Sequence, residues 1–161
     1  RRLSPARRIA RVVIVADDGA GVVVADWVEG PPGAPWQLAL PAAPGAAWSD
    51  GVLTTAGGTT ARLAFLTDGV AAEVEQGPWS ATYGSVEPAP RLVARGDVGG
   101  PVAWSLSLAD RDGALDGACV HGDLLLLAGA TLSVAWLDGA VALEIEHPDR
   151  PGVVSVEVAL R

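Results

Sequence analysis

Three potential metal ligands, Cys119, His121 and Asp123, are spaced two residues apart. On a β-strand this spacing would place all three on one face, and zinc accepts thiolate, imidazole and carboxylate ligands. A closed zinc site also needs a fourth ligand and usually shows paired ligand motifs, which the sequence does not offer here. We therefore expect structural or exposed roles for these residues, and we expect neither a bound metal nor another cofactor.

Candidates for proton transfer are also few. Tyr83 is the only tyrosine, and His121 and His147 are the only histidines. A tyrosine acts as a base only where a cation or an apolar pocket adjusts its pKa, and Tyr83 lies in a turn-rich stretch beside Trp79. A packed ring whose hydroxyl caps a backbone group is the simpler interpretation. The available carboxylates alternate with apolar residues, as on a solvated sheet face: Glu73, Glu75, Glu87, Glu144 and Glu146.

Nucleophilic and phosphate chemistry have no recognisable motif. No serine lies in a Gly-x-Ser-x-Gly turn, and Cys119 and His121 lack a third group that would orient them. The paired glycines at 57–58 and 99–100 lack the lysine and the strand-to-helix context of a phosphate-binding loop. We therefore expect no catalytic residue in this chain.

Charge is placed unevenly along the 161 residues. Five of the eleven positive side chains lie within residues 1–11, so the rest of the chain carries six positive and nineteen negative side chains. Such an acidic surface repels phosphate backbones, which argues against nucleic acid as a partner. The arginine cluster is either a solvated edge or a docking site for an acidic neighbour or a polyanionic glycan.

Size and composition favour a single domain with one apolar core. A chain of 161 residues buries a core without disulfides, and the single Cys119 allows no intrachain disulfide. The uncharged run Pro31–Ser49 is long enough to cross a bilayer, but its prolines forbid a continuous helix, so we expect no membrane segment. No apolar segment typical of a signal peptide follows the first arginines.

Short strands joined by turns account for the pattern of apolar residues. Residues 9–16 and 21–29 are rich in β-branched side chains and flank Asp17-Asp18-Gly19-Ala20, which predicts a β-hairpin. The apolar run Leu124–Ala128 fits a strand buried between two layers. Further turns are predicted at Gly57-Gly58, Asp68-Gly69, Asp110–Gly113, Asp138-Gly139 and Pro148–Gly152.

We therefore predict an all-β fold, with residues 1–161 forming a single module. About a dozen short strands and no crossover helix indicate an antiparallel stacked-sheet sandwich without significant helix. In the second predicted strand, Asp26 shares a face with three valines while Trp27 lies on the other face. Asp26 then needs a partner if its face is buried.

The segment Gly77–Pro90 interrupts the strands. Its prolines remove backbone donors and its glycines permit positive φ, so it does not fit an ordinary central strand. We predict a shaped crossover between sheet layers there.

Two stretches together resemble a known family. Arg7-Arg8-Ile9 leading to Gly21–Gly30, followed by Gln37-Leu38, is similar to the opening of the C-terminal β-sheet domain of heparinase II/III-like polysaccharide lyases. Gly77–Gly84 with Pro88-Ala89-Pro90 is similar to the glycine, serine and tyrosine-glycine signature of the same domain. The order and spacing of these motifs agree over nearly the whole chain.

The resemblance implies a stacked antiparallel module that follows a helical (α/α) toroid, as the C-terminal part of a longer chain. In that family the toroid supplies most of the machinery for β-elimination of uronic-acid polysaccharides. The toroid of the parent chain would then be the partner, and an acidic polysaccharide the substrate. The compartment stays open, and a periplasmic or secreted location is compatible with such a parent.

Some members of the family bind zinc through an Asp at the end of the second strand and flanking histidines. Asp26 matches that Asp, but the histidines expected near Pro41 and among residues 7–9 are missing. We therefore predict no zinc at Asp26, and we expect Arg8 or Arg11 to pair with its carboxylate instead.

Other functions remain open. As part of the lyase, the module would wall the substrate cleft, with Trp79 and Tyr83 as the candidate substrate-binding residues. An independent carbohydrate-binding module would use exposed Trp residues on a sheet face, and a structural interaction domain is a third alternative. The lyase module predicts an exposed apolar face that needs a partner domain, whereas the binding module predicts a ligand-responsive tryptophan patch.

Overall fold

The computed structural model describes residues 8–16, 19–31, 33–97, 101–108, 117–127, 129–138 and 140–159. Within these ranges the protein forms β-strands and no helix, so the predicted all-β class is confirmed. All strand pairs are antiparallel, as expected for a chain without crossover helices. Asp17-Asp18, the turn at Asp110–Gly113, Gly139 and Leu160 lie outside the described residues.

The strands form three sheets. The six-stranded sheet has the order β1-β2-β9-β6-β5-β4, the five-stranded sheet the order β10-β11-β12-β13-β14, and the three-stranded sheet the order β3-β8-β7. The strand bounds are β1 (Arg8–Val15), β2 (Gly21–Glu29), β3 (Pro35–Pro41), β4 (Ala47–Ser49), β5 (Val52–Thr54), β6 (Thr60–Phe65), β7 (Ala71–Trp79), β8 (Glu87–Asp97), β9 (Val102–Leu108), β10 (Cys119–His121), β11 (Leu124–Leu127), β12 (Ala130–Leu137), β13 (Ala140–His147) and β14 (Arg150–Ala159).

The first hairpin follows from its sequence. β1 and β2 pair from Val15 opposite Val22 to Arg8 opposite Glu29. The amide of Gly19 donates to the carbonyl of Ala16, and Gly19 has a φ of 68°, a conformation that glycine adopts without steric cost. The β-branched residues on either side favour the extended backbone that continues from this turn.

The core lies between the six-stranded and the five-stranded sheet. Val23, Ala25 and Trp27 of β2 pack with Leu125 and Leu132 of the five-stranded sheet. The indole nitrogen of Trp27 donates a hydrogen bond of 3.0 Å to the carbonyl oxygen of Asp123, so its one polar atom is satisfied. The alternation of β2 places these three side chains on one face, which the five-stranded sheet covers.

The three-stranded sheet contacts the six-stranded sheet, because β8 packs beside β4. Within the small sheet, the amide of Ala42, which follows β3, donates to the carbonyl of Pro90 on β8. Its central strand is buried, because Val93 and Ala94 of β8 are almost completely inaccessible. The fold is therefore a stack of sheets, with the small sheet attached at the far side of β9 from β1.

The expectation that Leu124–Ala128 is buried between two layers is wrong for the described part of that run. Leu125 is fully buried, whereas the neighbouring Leu124 is 36% exposed. β11 has β10 and β12 on its sides and the core on one face only. An uninterrupted apolar run therefore does not require two covered faces here.

The expectation of a crossover at Gly77–Pro90 is also wrong. Pro78 lies opposite Pro88 and Trp79 opposite Glu87, so the segment is a hairpin between neighbouring strands of one sheet. β3 ends at Pro41, opposite Arg91, and Pro88 and Pro90 therefore precede the three-stranded part of β8. A proline is tolerated there because no third strand needs its missing donor.

Replacing Leu125 by Ala should destabilise the protein by about 2–5 kcal/mol, because the change leaves a cavity in the core. Leu124→Ala is the matched control on the same strand, and its cost should stay below about 1 kcal/mol. Urea unfolding followed by tryptophan fluorescence measures both. Equal losses for the two variants would contradict the one-sided burial of β11.

Candidate functional site

Asp26 is paired with Arg11. The two residues lie directly opposite each other on β2 and β1, and Nε and Nη2 of Arg11 donate to Oδ1 and Oδ2 of Asp26, each at 2.7 Å. The Asp26 side chain is only 13% exposed, so the bidentate pair supplies the partner that this carboxylate needs. The hydrogen bond to Asp26 raises the pKa of Arg11.

The surroundings of Asp26 do not fit a zinc site. Both of its carboxylate oxygens accept hydrogen bonds from a guanidinium group, which repels a second cation. In the part of the chain that the structure describes, no three His, Cys, Asp or Glu side chains come close enough to hold a metal ion, and this includes Cys119, His121 and Asp123. β10 ends at His121, so Asp123 lies in the following turn and does not continue the alternation.

Arg8 does not pair with Asp26, which the sequence had offered as a possible partner. It pairs with Glu29 opposite it on β2, and this hydrogen bond lowers the pKa of the Glu29 carboxyl. Its Nη1 also donates to the carbonyl of Leu137 at 3.0 Å, and its guanidinium lies 5.1 Å from the centre of the Trp136 ring. Arg8 thus joins the edge of the six-stranded sheet to β12 of the five-stranded sheet.

Trp79 lies at the start of the β7–β8 loop and Tyr83 in its middle. Trp79 ends β7 and is half-buried, whereas Tyr83 is fully exposed. The prediction of a packed Tyr83 ring is therefore wrong. The loop is held instead by two hydrogen bonds, which the Ser80 hydroxyl and the Ser85 amide donate to the carbonyl of Thr82. The structure leaves the Tyr83 ring free for contact with another molecule.

An ion-pair network lies on one face of β7 and β8, behind this loop. Arg91 pairs with Glu75 at 2.8 Å, and Arg95 pairs with both Glu73 and Glu75. The hydrogen bonds from Arg95 and then Arg91 lower the pKa of Glu75. Gly77 leaves room for Arg91, because a Cβ at position 77 would lie 2.7 Å from the Arg91 Cδ. Glu73 and Glu75 are therefore paired with arginines across the hairpin. The sequence predicted a solvated sheet face for them but not these ion pairs.

A cleft of about 320 Å³ lies where the three sheets meet. It lies between the ends of β3 and β8, the segment after β6, the start of β9 and the end of β10. Its walls are formed by Trp36, Thr67, Asp68, Gly69, Val70, Gly96, Asp97, Pro101, Val102, Val120 and Gly122. A second, more open cleft of about 430 Å³ shares the Trp36 wall and is also lined by Gln37 and Arg95.

Trp36 is fixed in this wall by the strand opposite it. Trp36 lies opposite Gly96, where a Cβ would lie only 2.7 Å from the indole Cζ2, so the ring rests against bare backbone. The indole nitrogen donates to the carbonyl of Asp97 at 3.2 Å. Below the ring, the Thr67 hydroxyl donates to the carbonyl of Pro101 and accepts from the amide of Ala103. The wall is therefore held in place without a ligand.

Sequence reasoning did not single out Trp36, Asp68 or Asp97. Trp36 and Gly96 become neighbours only through the pairing of β3 with β8, which are far apart in the chain. The one feature of the sequence that indicated this contact was an isolated glycine, Gly96, within a strand. Such a glycine often marks a place where another group approaches the backbone closely. Neither Trp79 nor Tyr83 lines either of the two clefts.

The fold and these contacts define an all-β protein with a cleft beside Trp36 where its three sheets meet. Comparison of the chain with known protein families, with curated proteins and with solved structures finds no match. Across the described ranges, no helix has the length and apolar character needed to cross a membrane.

Gly96→Ala should destabilise the protein by about 1–3 kcal/mol, because the new methyl group displaces the Trp36 ring. Gly57→Ala is the control, since its nearest neighbour is 3.9 Å away, and it should change stability by less than about 0.5 kcal/mol. Urea unfolding measures both. An unchanged stability for Gly96→Ala would show that Trp36 does not rest against Gly96.

Replacing Glu75 by Gln should destabilise the protein at neutral pH and have a smaller effect in acid. The arginines hold the pKa of Glu75 below its ordinary value of 4.5, so its stabilising effect is present above that pH and is lost as the pH falls through the lowered pKa. Urea midpoints measured from neutral to acid pH test this difference. Glu157→Gln, at an exposed site on β14, should show no such trend; the same pH dependence in both variants would argue against the network.

Proposed function

We propose that the chain is the C-terminal accessory β-sandwich module of a heparinase II/III-like polysaccharide lyase, and that it packs against the helical toroid of the same parent. The parent would cleave a uronic-acid polysaccharide by removing the proton α to the carboxylate. The similarity of Gly21–Gly30 and Gly77–Gly84 to the family motifs supports the lyase part of the proposal. An uncovered apolar face supports the docking part.

This face is the inner side of β14. Val154, Val156 and Val158 lie opposite Ile145, Leu143 and Val141 of β13, so they continue the face with which the five-stranded sheet covers the core. Leu143 and Ile145 of β13 still pack against the core cluster. The three valines on β14 are 61%, 48% and 55% exposed. The apolar face thus extends one strand beyond the last strand whose side chains reach the core.

An exposed apolar edge strand is unfavourable for a protein that works alone. Natural proteins usually place charges or prolines along such strands because free edges pair with other chains. β1, an edge of the six-stranded sheet, also exposes Ile9, Val13 and Val15, on the face that points away from the core. A row of exposed apolar residues such as the one on β14 is typical of a surface that another domain covers.

The proton-transfer candidates support an accessory role. Tyr83 is fully exposed in the loop of the three-stranded sheet, whereas His147 ends β13 of the five-stranded sheet. The Nδ1 of His147 accepts a hydrogen bond from the amide of Asp149. A general base and a general acid must lie within reach of one substrate, and Tyr83 belongs to a different sheet from the two histidines, His121 at the end of β10 and His147 at the end of β13. The proposal therefore assigns the chemistry to the toroid.

The coding sequence upstream of the Arg1 codon gives the first test, and the proposal expects it to encode a helical toroid. Co-expressed with that domain, the chain should form a complex, and Val154→Lys with Val156→Lys should weaken it by at least about tenfold, since each buried valine contributes about 1.5–3 kcal/mol. Val153→Lys is the matched control, being 60% exposed on the opposite face of the same strand.

Titration of the toroid with each variant measures docking, and absorbance of the unsaturated product measures lyase activity. The complex should be active on a uronic-acid polysaccharide and the chain alone inactive. An upstream sequence without a toroid would overturn the lyase assignment. Undiminished binding of the double variant would overturn the assignment of the docking face to β14.

A further inference from the structure

We propose that the cleft beside Trp36 binds a sugar ring that carries hydroxyl or amino groups and no acidic group. The site is formed by the Trp36 indole, the carboxylates of Asp68 and Asp97 and the apolar side chains of Val102 and Val120. These residues lie at strand ends and, for Asp68, in the turn between β6 and β7, and none of them is on β14. The inference therefore does not rest on the lyase assignment.

The cleft has the size and lining of a small-ligand site. Its volume of about 320 Å³ is at the lower end of the range for ligand pockets, about 300–1,000 Å³. A pyranose ring presents a face of C–H groups, which packs well on the electron-rich face of an indole. Gly96 and the hydrogen bond to Asp97 hold the Trp36 ring before any ligand arrives, so its ordering costs little on binding.

The polar groups of the cleft favour a ligand that carries hydrogen-bond donors. Neither Asp68 nor Asp97 has a side-chain hydrogen bond or an ion pair with another described residue. Ionised carboxylates are acceptors only, so they bind the hydroxyl or amino donors of a sugar. Among the described residues, the lining contains no Arg, Lys or His that would neutralise an acidic group, and Arg95 of the neighbouring cleft is already paired with Glu73 and Glu75.

The same charges exclude an acidic sugar from this cleft. A uronate or a sulfated ring would place its negative charge beside two carboxylates in a chain whose formal net charge is −8. The site therefore differs in selectivity from the uronate-binding centre that the proposed parent would carry on its toroid. It would hold an uncharged or amino-bearing residue of a glycan.

Isothermal titration of the chain with three disaccharides tests the selectivity. Cellobiose supplies an uncharged ring, unacetylated chitobiose an amino-bearing ring and digalacturonate an acidic one. We expect saturable binding of cellobiose or of unacetylated chitobiose. Digalacturonate should bind at least about tenfold more weakly than the tighter of these two. Absence of binding by all three, or digalacturonate binding as tight as the others, would overturn the proposal.

Single substitutions then locate the site. Trp36→Ala should reduce affinity at least about tenfold, and Asp68→Asn should reduce it while leaving the unfolding midpoint unchanged, because Asp68 is exposed. If Trp36→Ala fails to fold, Asp68→Asn alone decides the result. Trp79→Ala is the control at the β7–β8 loop and should bind like the unmodified chain. Loss of binding in Trp79→Ala with undiminished binding in Asp68→Asn would place the site at that loop and overturn the assignment to the cleft.

Discussion

Burial of β2 on both faces is the constraint on which the rest of the fold depends. Val23 and Ala25 are inaccessible on the face that meets the five-stranded sheet, and Val24 is 6% exposed on the other face. Such a strand leaves little solvent for a charged side chain, yet Asp26 follows Ala25 directly and its side chain is only 13% exposed. The bidentate contact with Arg11 resolves this conflict, because a nearly buried carboxylate is tolerated only with its hydrogen bonds satisfied.

Local pairing explains which parts of the fold were predictable from the sequence. The β1–β2 hairpin and the β12–β13–β14 meander join neighbouring segments, so their alternation and turn residues predict both the strands and their partners. Alternation also predicts that Asp26 needs a partner, but only the register distinguishes Arg11 from Arg8. The prolines of Gly77–Pro90 do argue against a central strand, but they do not require a crossover, because they lie where β8 has only one neighbour.

Strand pairings between distant segments of the chain explain why the sequence did not predict the Trp36 cleft. The Trp36 cleft exists because β3 pairs with β8 and the ends of three sheets meet, and no periodicity within one segment reports such a meeting. Pairing between neighbouring strands also distributes charge, in the six-stranded sheet as well as in the small sheet. Arg8, Arg11, Arg91 and Arg95 each pair with a carboxylate, so these positive charges are neutralised locally. Asp68 and Asp97 are left to define the electrostatic character of the cleft.

The core joins the two ends of the chain, and this has a consequence for folding in the cell. β2 meets β9 across the six-stranded sheet, and Trp27 packs beside Leu125 and Leu132. Contacts of such long sequence separation form slowly because a large loop must close first. A ribosome must therefore synthesise the chain beyond Leu132 before β2 can be buried, and until then its valines are exposed to chaperones and to aggregation. The module should thus fold after translation of nearly all of its strands, and not strand by strand as it emerges.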